Sequence, residues 1–199
     1  VPHAGYLKTG ADLAVSSWDI LTGHVPIGSH VLFFDDNGQH AGMTCAEFLA
    51  ETDCTLEYLS PEMMMAPDIG GTNHPAYLRS LYNNDVSITL NQRLIGIQRE
   101  DDGFSATIFN EYTNTSTERR FDQIISDNGT LPADELYFDL KKDSINLGEV
   151  DQPALLGGQP QGIKSNSDGK YQLFRIGDAV TSRNIHASIY DALRLCMLF

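Results

Sequence analysis

The order of apolar and polar positions divides the chain into short elements. VLFFDD (31–36) opens with four apolar, β-favouring residues and reads as a buried strand of a parallel sheet. NGQHAG (37–42) is a turn. MTCAEFLAET (43–52) then places Met43, Ala46, Phe48, Leu49 and Ala50 on an apolar helix face. TLEYL (55–59) alternates as a second strand, so a βαβ unit with a right-handed crossover is expected within thirty residues. PEMMMAPDIGGTNHP (61–75) is loop, and its three methionines offer either a soft contact surface or a gap-filling tuck onto the core. AYLRSLYNND (76–85) predicts a helix and VSITL (86–90) a strand. RLIGIQRE (93–100), FSATIFNEY (104–112) and TERRFDQIIS (117–126) predict three strands of a small antiparallel meander, with Asp101-Asp102-Gly103 as a hairpin turn. Beyond a polar connection at 151–170, YQLFRIGD (171–178) predicts a last strand. NIHASIYDALRLCMLF (184–199) predicts a terminal helix with Ile185, Ile189, Ala192, Leu193 and Cys196 on one stripe.

Charge and cysteine usage narrow the function classes. The 199 residues carry 13 Lys+Arg against 27 Asp+Glu, a net charge of −14. Such a chain repels nucleic acid and anionic lipid, so neither is expected as a partner. No apolar run approaches the ~20 residues of a membrane span, and VPHAGYLKTG (1–10) has no signal-peptide core, so the cytoplasm is the expected location. The chain lacks an initiator Met, which points to an origin inside a longer protein or to processing. Cys45, Cys54 and Cys196 have no CxxC spacing, and His24, His30, His40 and His74 have no metal-ligand spacing. No metal site is expected here, and no nucleophile–base arrangement marks a catalytic residue. Trp18 reads as an anchor between domains, and the His186–Tyr190 pair as helix packing.

Several stretches in order carry a resemblance: HVPIGSHVLFFDDNGQHAG, AEFLAE, YLRSLY, NGTLPADELYF and LFRIGDAVTSRNIHASIYDALR. Together they resemble the C-terminal half of the NADH:flavin oxidoreductase family, which includes trimethylamine and histamine dehydrogenases, dienoyl-CoA reductase and N-methyl amine demethylases. The resemblance implies an α/β, Rossmann-like FAD/NAD(P)-binding type two-domain fold in three layers, with a parallel sheet and a small antiparallel meander. Residues 25–127 would be an inserted NAD(P)-binding-like domain, and 1–24 with 128–199 part of an outer FAD- or ADP-binding-like domain. It further implies a parent chain with an N-terminal TIM barrel carrying FMN and a 4Fe–4S cluster, neither of which lies in this stretch. The stretch would then be inactive by itself, with the barrel as its intramolecular partner and an electron-transfer protein as a possible external one.

Two motifs bear on nucleotides within that resemblance. A dinucleotide loop uses GxGxxG so that backbone can approach a pyrophosphate at a helix N-terminus. Here only Gly38 and Gly42 remain, at different spacing, while Asp35 and Asp36 stand near the phosphate position as a like-charge pair, with His40 a partial offset. Ser60 ends the second strand, where an Asp or Glu would grip a ribose, and Glu57 lies three residues earlier. NAD(P) binding is therefore doubtful by sequence. In Arg175-Ile-Gly-Asp-Ala (175–179), Gly177 and Asp178 match the positions that in related two-domain flavoproteins end a strand beside the ribityl chain of a flavin. FAD, ADP or an empty site all remain open there. Three functions follow: part of a flavin oxidoreductase acting on an amine or an enoyl compound, a nucleotide-free interaction module, or a genuine NAD(P)H-binding reductase domain.

Overall fold

The computed structural model describes residues 9–196, which form two compact units, one ending at Gly129 and the other beginning at Thr130. The strands of the first unit are β1 (Val15–Ser16), β2 (His30–Asp35), β3 (Thr55–Leu59), β4 (Ser87–Thr89), β5 (Gln92–Glu100), β6 (Gly103–Asn110), β7 (Thr115–Phe121) and β8 (Gln123–Asp127). Its helices are α1 (Ser17–Leu21), α2 (His40–Ala50) and α3 (His74–Asn83). β1, β8, β2, β3 and β4 pair in that order as a five-stranded parallel sheet, and β5, β6 and β7 form an antiparallel meander.

The alternation along β2 dictates the three layers. Val31 and Phe33 point to the helical side, where Met43, Cys45, Ala46 and Leu49 of α2 and Leu81 of α3 join them in one core. Leu32 and Phe34 point the other way, onto Leu94, Ile97, Ala106, Ile108 and Phe121 of the meander. A strand covered on both faces needs an apolar run rather than alternation, which is why VLFFD reads as it does. The expected βαβ unit is present as β2–α2–β3, and the expected helix and strand at 76–90 form as α3 and β4, displaced by one or two residues.

One expectation for the first unit changes. The run 117–126 is not one strand: β7 closes the meander, and after Asp122 alone β8 enters the parallel sheet between β1 and β2. Asp122 makes the transfer by accepting the His30 amide at 2.9 Å, while Gln123 fastens the sheet side to the Gly28 amide and the Pro26 carbonyl. Residues 9–24 pack in the first unit. β1 pairs with β8 at Val15↔Ile125 and Ser16↔Ser126, and Ile20 of α1 joins the helical-side core.

The second unit holds α4 (Glu135–Lys141), α5 (Gln152–Leu156) and α6 (Ile185–Cys196). The expected strand at 171–178 does not form. Tyr171 makes a single bridge to Ser144, and Asn146 holds the extended segment by bonding the Leu173 amide and carbonyl. An isolated extended segment has no ladder to complete, so a side chain does the fastening. Ile185, Ile189 and Leu193 of the predicted stripe are exposed; residues 197–199 of the predicted helix lie outside the described residues. Among the described residues no helix is long and apolar enough to cross a membrane.

Candidate functional site

The sheet order reverses between β2 and β8, because β3 and β4 lie on one side of β2 and β8 on the other. In parallel α/β sheets this switch point, outside the carboxyl ends of the strands, is where ligands bind. Asp35 and Asp127 stand at those two ends, in register and both buried. Asp35 Oδ1 accepts the Gly38 amide at 2.8 Å and the Asn37 amide at 3.1 Å. Its Oδ2 accepts the Tyr58 hydroxyl at 2.7 Å. Asp127 accepts the Ser17 hydroxyl at 2.9 Å and the Gly129 amide at 3.1 Å.

The turn amides that a phosphate would use are therefore occupied by the protein's own carboxylate. Gly42, in the first turn of α2, has a matching reason to be glycine: a Cβ there would lie 3.0–3.1 Å from Asp35 Oδ1, Cγ and Oδ2. Gly38 has φ +66, and its Cβ would lie 2.8 Å from Pro67 Cδ, so the 61–73 segment lies directly over the turn. Gly129 closes the side, with an added Cβ 3.0 Å from Asn37 Oδ1.

The two aspartates expected as a like-charge pair have different partners. Asp35 is turned inward, whereas Asp36 pairs with Arg93 of β5 at 2.8 Å, and Arg93 also reaches Glu111 at 3.4 Å. Burial pushes the Asp35 carboxyl above the ordinary carboxylate range; the bonds from Tyr58, Gly38 and Asn37 oppose that shift and nearby Asp127 adds to it. Burial also raises Asp36, against Arg93. The Cys45 thiol, buried beside the same acids, is pushed up to about 12 and so is not a nucleophile at neutral pH. Glu57 is held by Thr89 at 2.9 Å and by Arg119, and Ser60 is buried, so neither presents a free ribose ligand.

The Asp35 shift has a signed consequence. The folded chain binds this proton more tightly than the unfolded chain, whose carboxyl titrates near 3.8. That contribution to stability is complete below the unfolded value and is lost as pH rises through the folded value. In urea titrations between pH 4 and 8, the stability of the native chain relative to Asp35→Asn is expected to fall with rising pH and then level off. A difference that rises with pH refutes the assignment.

In the second unit, Gly177–Ala179 form a single 3₁₀ turn before α6. Gly177 has φ +56, and its amide donates to Asp191 Oδ2 at 3.1 Å. Asp191 is paired with Arg183, whose guanidinium holds that carboxyl below its ordinary range. Asp178 is exposed, with Ser188 Oγ 3.4 Å away. Arg175, just before the turn, pairs with Asp134 and stacks over Tyr137 and Phe138. Gly177 and Asp178 thus lie on a polar turn that precedes α6 by five residues and is bonded to it through Asp191 and Ser188. Tyr58, Asp127, Asp191 and Arg183 were not singled out by sequence. The one available signal was that two short runs rich in β-favouring apolar residues, VLFF and QIIS, are each followed directly by Asp. Among the described residues no group of three His, Cys, Asp or Glu side chains is arranged to hold a metal ion.

No protein-family model matches the chain. It is 44% identical over 195 residues to a probable N-methylproline demethylase of Rhizobium meliloti, covering 98% of this chain and 29% of that protein. It is 41% identical to the N,N-dimethylglycine/sarcosine dehydrogenase of Chromohalobacter salexigens, covering 100% of this chain and again 29% of the relative. Among solved structures, histamine dehydrogenase from Rhizobium sp. 4-9 superposes with a TM-score of 0.69 at 18% identity, over 94% of this chain and 26% of that one. The chain spans less than a third of the length of the curated relatives it matches. The architecture is that of the FAD/NAD(P)-binding reductases. Over nearly its whole length the chain thus aligns with the C-terminal FAD/NAD-domain portion of these demethylase and dehydrogenase relatives.

Proposed function

We propose that this chain is the nucleotide-domain part of a cytoplasmic flavin-dependent amine demethylase or dehydrogenase whose substrate is a small N-methylated amino acid. The observation that carries this is the alignment of nearly the whole chain to two relatives, one named a probable N-methylproline demethylase and the other an N,N-dimethylglycine/sarcosine dehydrogenase. The parent would hold FMN in a TIM barrel beside a 4Fe–4S cluster, which together would supply the redox chemistry and an exit for electrons to a separate electron-transfer protein. The substrate loses two electrons and a proton at its N-methyl carbon. Water then releases formaldehyde and the demethylated amine. Gly177 and Asp178 would hold the nucleotide of the outer domain, FAD or ADP, at the turn before α6.

The first unit, in this proposal, serves as a scaffold without NAD(P). The donor set does not fit a dinucleotide: the Asn37 and Gly38 amides are taken by Asp35, Pro67 covers Gly38, and Glu57 is paired with Arg119. Gly38 and Gly42 then belong to the closed turn rather than to a ligand.

Purified full-length protein is expected to contain flavin and iron, to release formaldehyde from sarcosine or N-methylproline with an artificial electron acceptor, and to bind NADH with a Kd of about 1 mM or weaker, near −4 kcal/mol. Asp35→Gly with Asp36→Gly frees the Asn37 and Gly38 amides and should raise NADH affinity, whereas no gain in a folded variant would mean that shape closes the site. NADH-driven reduction of an enoyl compound with no amine oxidation would favour the reductase reading instead.

A further inference from the structure

The sequence contains two Asn-Gly pairs, Asn37-Gly38 and Asn128-Gly129, and the fold puts both at the switch point, just past the ends of the neighbouring strands β2 and β8. The Asp36 amide ties the two turns together by donating to the Asp127 carbonyl at 3.0 Å. Asn-Gly is the dipeptide most open to loss of the asparagine amide, because glycine has no side chain to shield its own backbone nitrogen. In both turns that nitrogen is engaged by the aspartate that ends the strand. Gly38 donates to Asp35 Oδ1 at 2.8 Å, and Gly129 donates to Asp127 Oδ1 at 3.1 Å. The two turns are not held equally. Gly38 is buried, its carbonyl accepts the Asp68 amide at 3.2 Å, and an added Cβ would lie 2.8 Å from Pro67 Cδ. The Asn37 amide donates to the same Asp35 oxygen at 3.1 Å, and the Asn37 carboxamide rests against Gly129. Asn128 and Gly129 are only half-buried, and Asn128 Nδ2 donates to the Ser126 hydroxyl at 3.2 Å.

We propose that Asn128-Gly129 is a site of spontaneous deamidation in the folded chain, and that Asn37-Gly38, the same dipeptide one strand away, is locked against this reaction by Asp35. In the reaction the Gly129 nitrogen gives its proton to solvent and attacks Asn128 Cγ. A carbon–nitrogen bond forms, the side-chain amide leaves as ammonia, and a five-membered succinimide results. One water then opens the ring. Opening at the side-chain carbonyl gives aspartate, and opening at the main-chain carbonyl gives isoaspartate, whose backbone is longer by one methylene. No oxidant or reductant takes part. A carboxylate beside the attacking nitrogen opposes the negative charge that builds there as the proton leaves. The amide must also turn away from its acceptor to face Cγ, and a hydrogen bond to a charged group holds it back by about tenfold or more. Both obstacles are greater at Gly38, where the bond is shorter and the turn is covered. At residue 128 the product replaces the donor to Ser126 with a carboxylate and adds negative charge beside Asp127. The reaction needs only this chain and water, so it does not depend on which nucleotide the outer domain holds.

The test ages the full-length protein under warm, mildly alkaline conditions, once folded and once in guanidinium chloride, and follows the two asparagines by peptide mass spectrometry. In denaturant both should convert at similar rates, because the local sequence is the same dipeptide. In the folded protein Asn128 should convert about tenfold faster than Asn37. Asp35→Ala, with its fold checked by circular dichroism, should bring Asn37 up to at least the rate of Asn128. Asp35→Asn keeps an acceptor but drops the charge, should give a smaller rise, and serves where Asp35→Ala does not fold. Equal rates in the folded native protein, a faster Asn37, or no conversion of Asn128 while the denatured sample converts fully would each overturn the proposal. An Asn37 rate unchanged in the folded Asp35 variants would overturn the role of Asp35 as the lock.

Discussion

Phe33→Ala is expected to lower the unfolding free energy of the first unit by about 3–5 kcal/mol, the range for removing a fully buried aromatic ring. Phe33 lies in the middle strand of the sheet with no exposed surface, pressed on the helical-side core. Part of the cost is transfer of the ring to water, and part is the cavity left among side chains that relax only partially. The ring also backs Tyr58, so its loss loosens the hydroxyl that Asp35 needs. Urea unfolding followed by far-ultraviolet circular dichroism is the measurement. A loss below about 1 kcal/mol contradicts the packing described, since volume-conserving core changes alone cost that much.

The second large effect is a coupling. Gly42→Ala should cost about 1–3 kcal/mol, the usual range for adding a methyl group to a filled space. The obstruction is the Asp35 carboxylate, which cannot swing aside because Tyr58, Asn37 and Gly38 hold both of its oxygens. With Asp35→Ala the obstruction disappears, and the same Gly42→Ala change should cost less than about 0.5 kcal/mol, as for independent sites. The four unfolding free energies form a double-mutant cycle. Additive effects mean that Gly42 is glycine for some other reason, and the self-filled turn loses its best geometric support.

How far the chain is legible in its sequence depends on what each residue type records. VLFF was readable as a two-sided buried strand because both neighbours of the sheet are apolar, and no solvent face interrupts the run. TERRFDQIIS was misread as one strand because β-propensity does not register a change of sheet. Only Asp122, by accepting the His30 amide, marks the transfer. YQLFRIGD has strand composition, but a strand is a pairing rather than a composition, and the described residues supply one bridge. At the switch point, the loss of the glycine pattern was legible, but its cause was not. Two acids in a row read as repulsion, whereas the fold turns Asp35 inward and gives Asp36 to Arg93. Tyr58 escaped notice because an alternating strand always buries every second residue, and nothing local distinguishes a packing tyrosine from one whose hydroxyl has a buried acid as partner.

The ends of the parallel sheet have a consequence for handling the protein. β1 is two residues long and β4 three, so the sheet offers a neighbouring chain almost no row of open amides on either flank. The meander has two longer outer strands: β5 is bridged at Gly96 by Thr9 and carries Arg93, Arg99 and Glu100, while β7 carries Glu118, Arg119 and Arg120 in succession, and this mixed charge discourages a strand from another molecule from adding to either. Aggregation on concentration should therefore begin elsewhere than by edge-to-edge growth of these sheets, and the exposed Ile185, Ile189 and Leu193 of α6 are where solubilising substitutions belong.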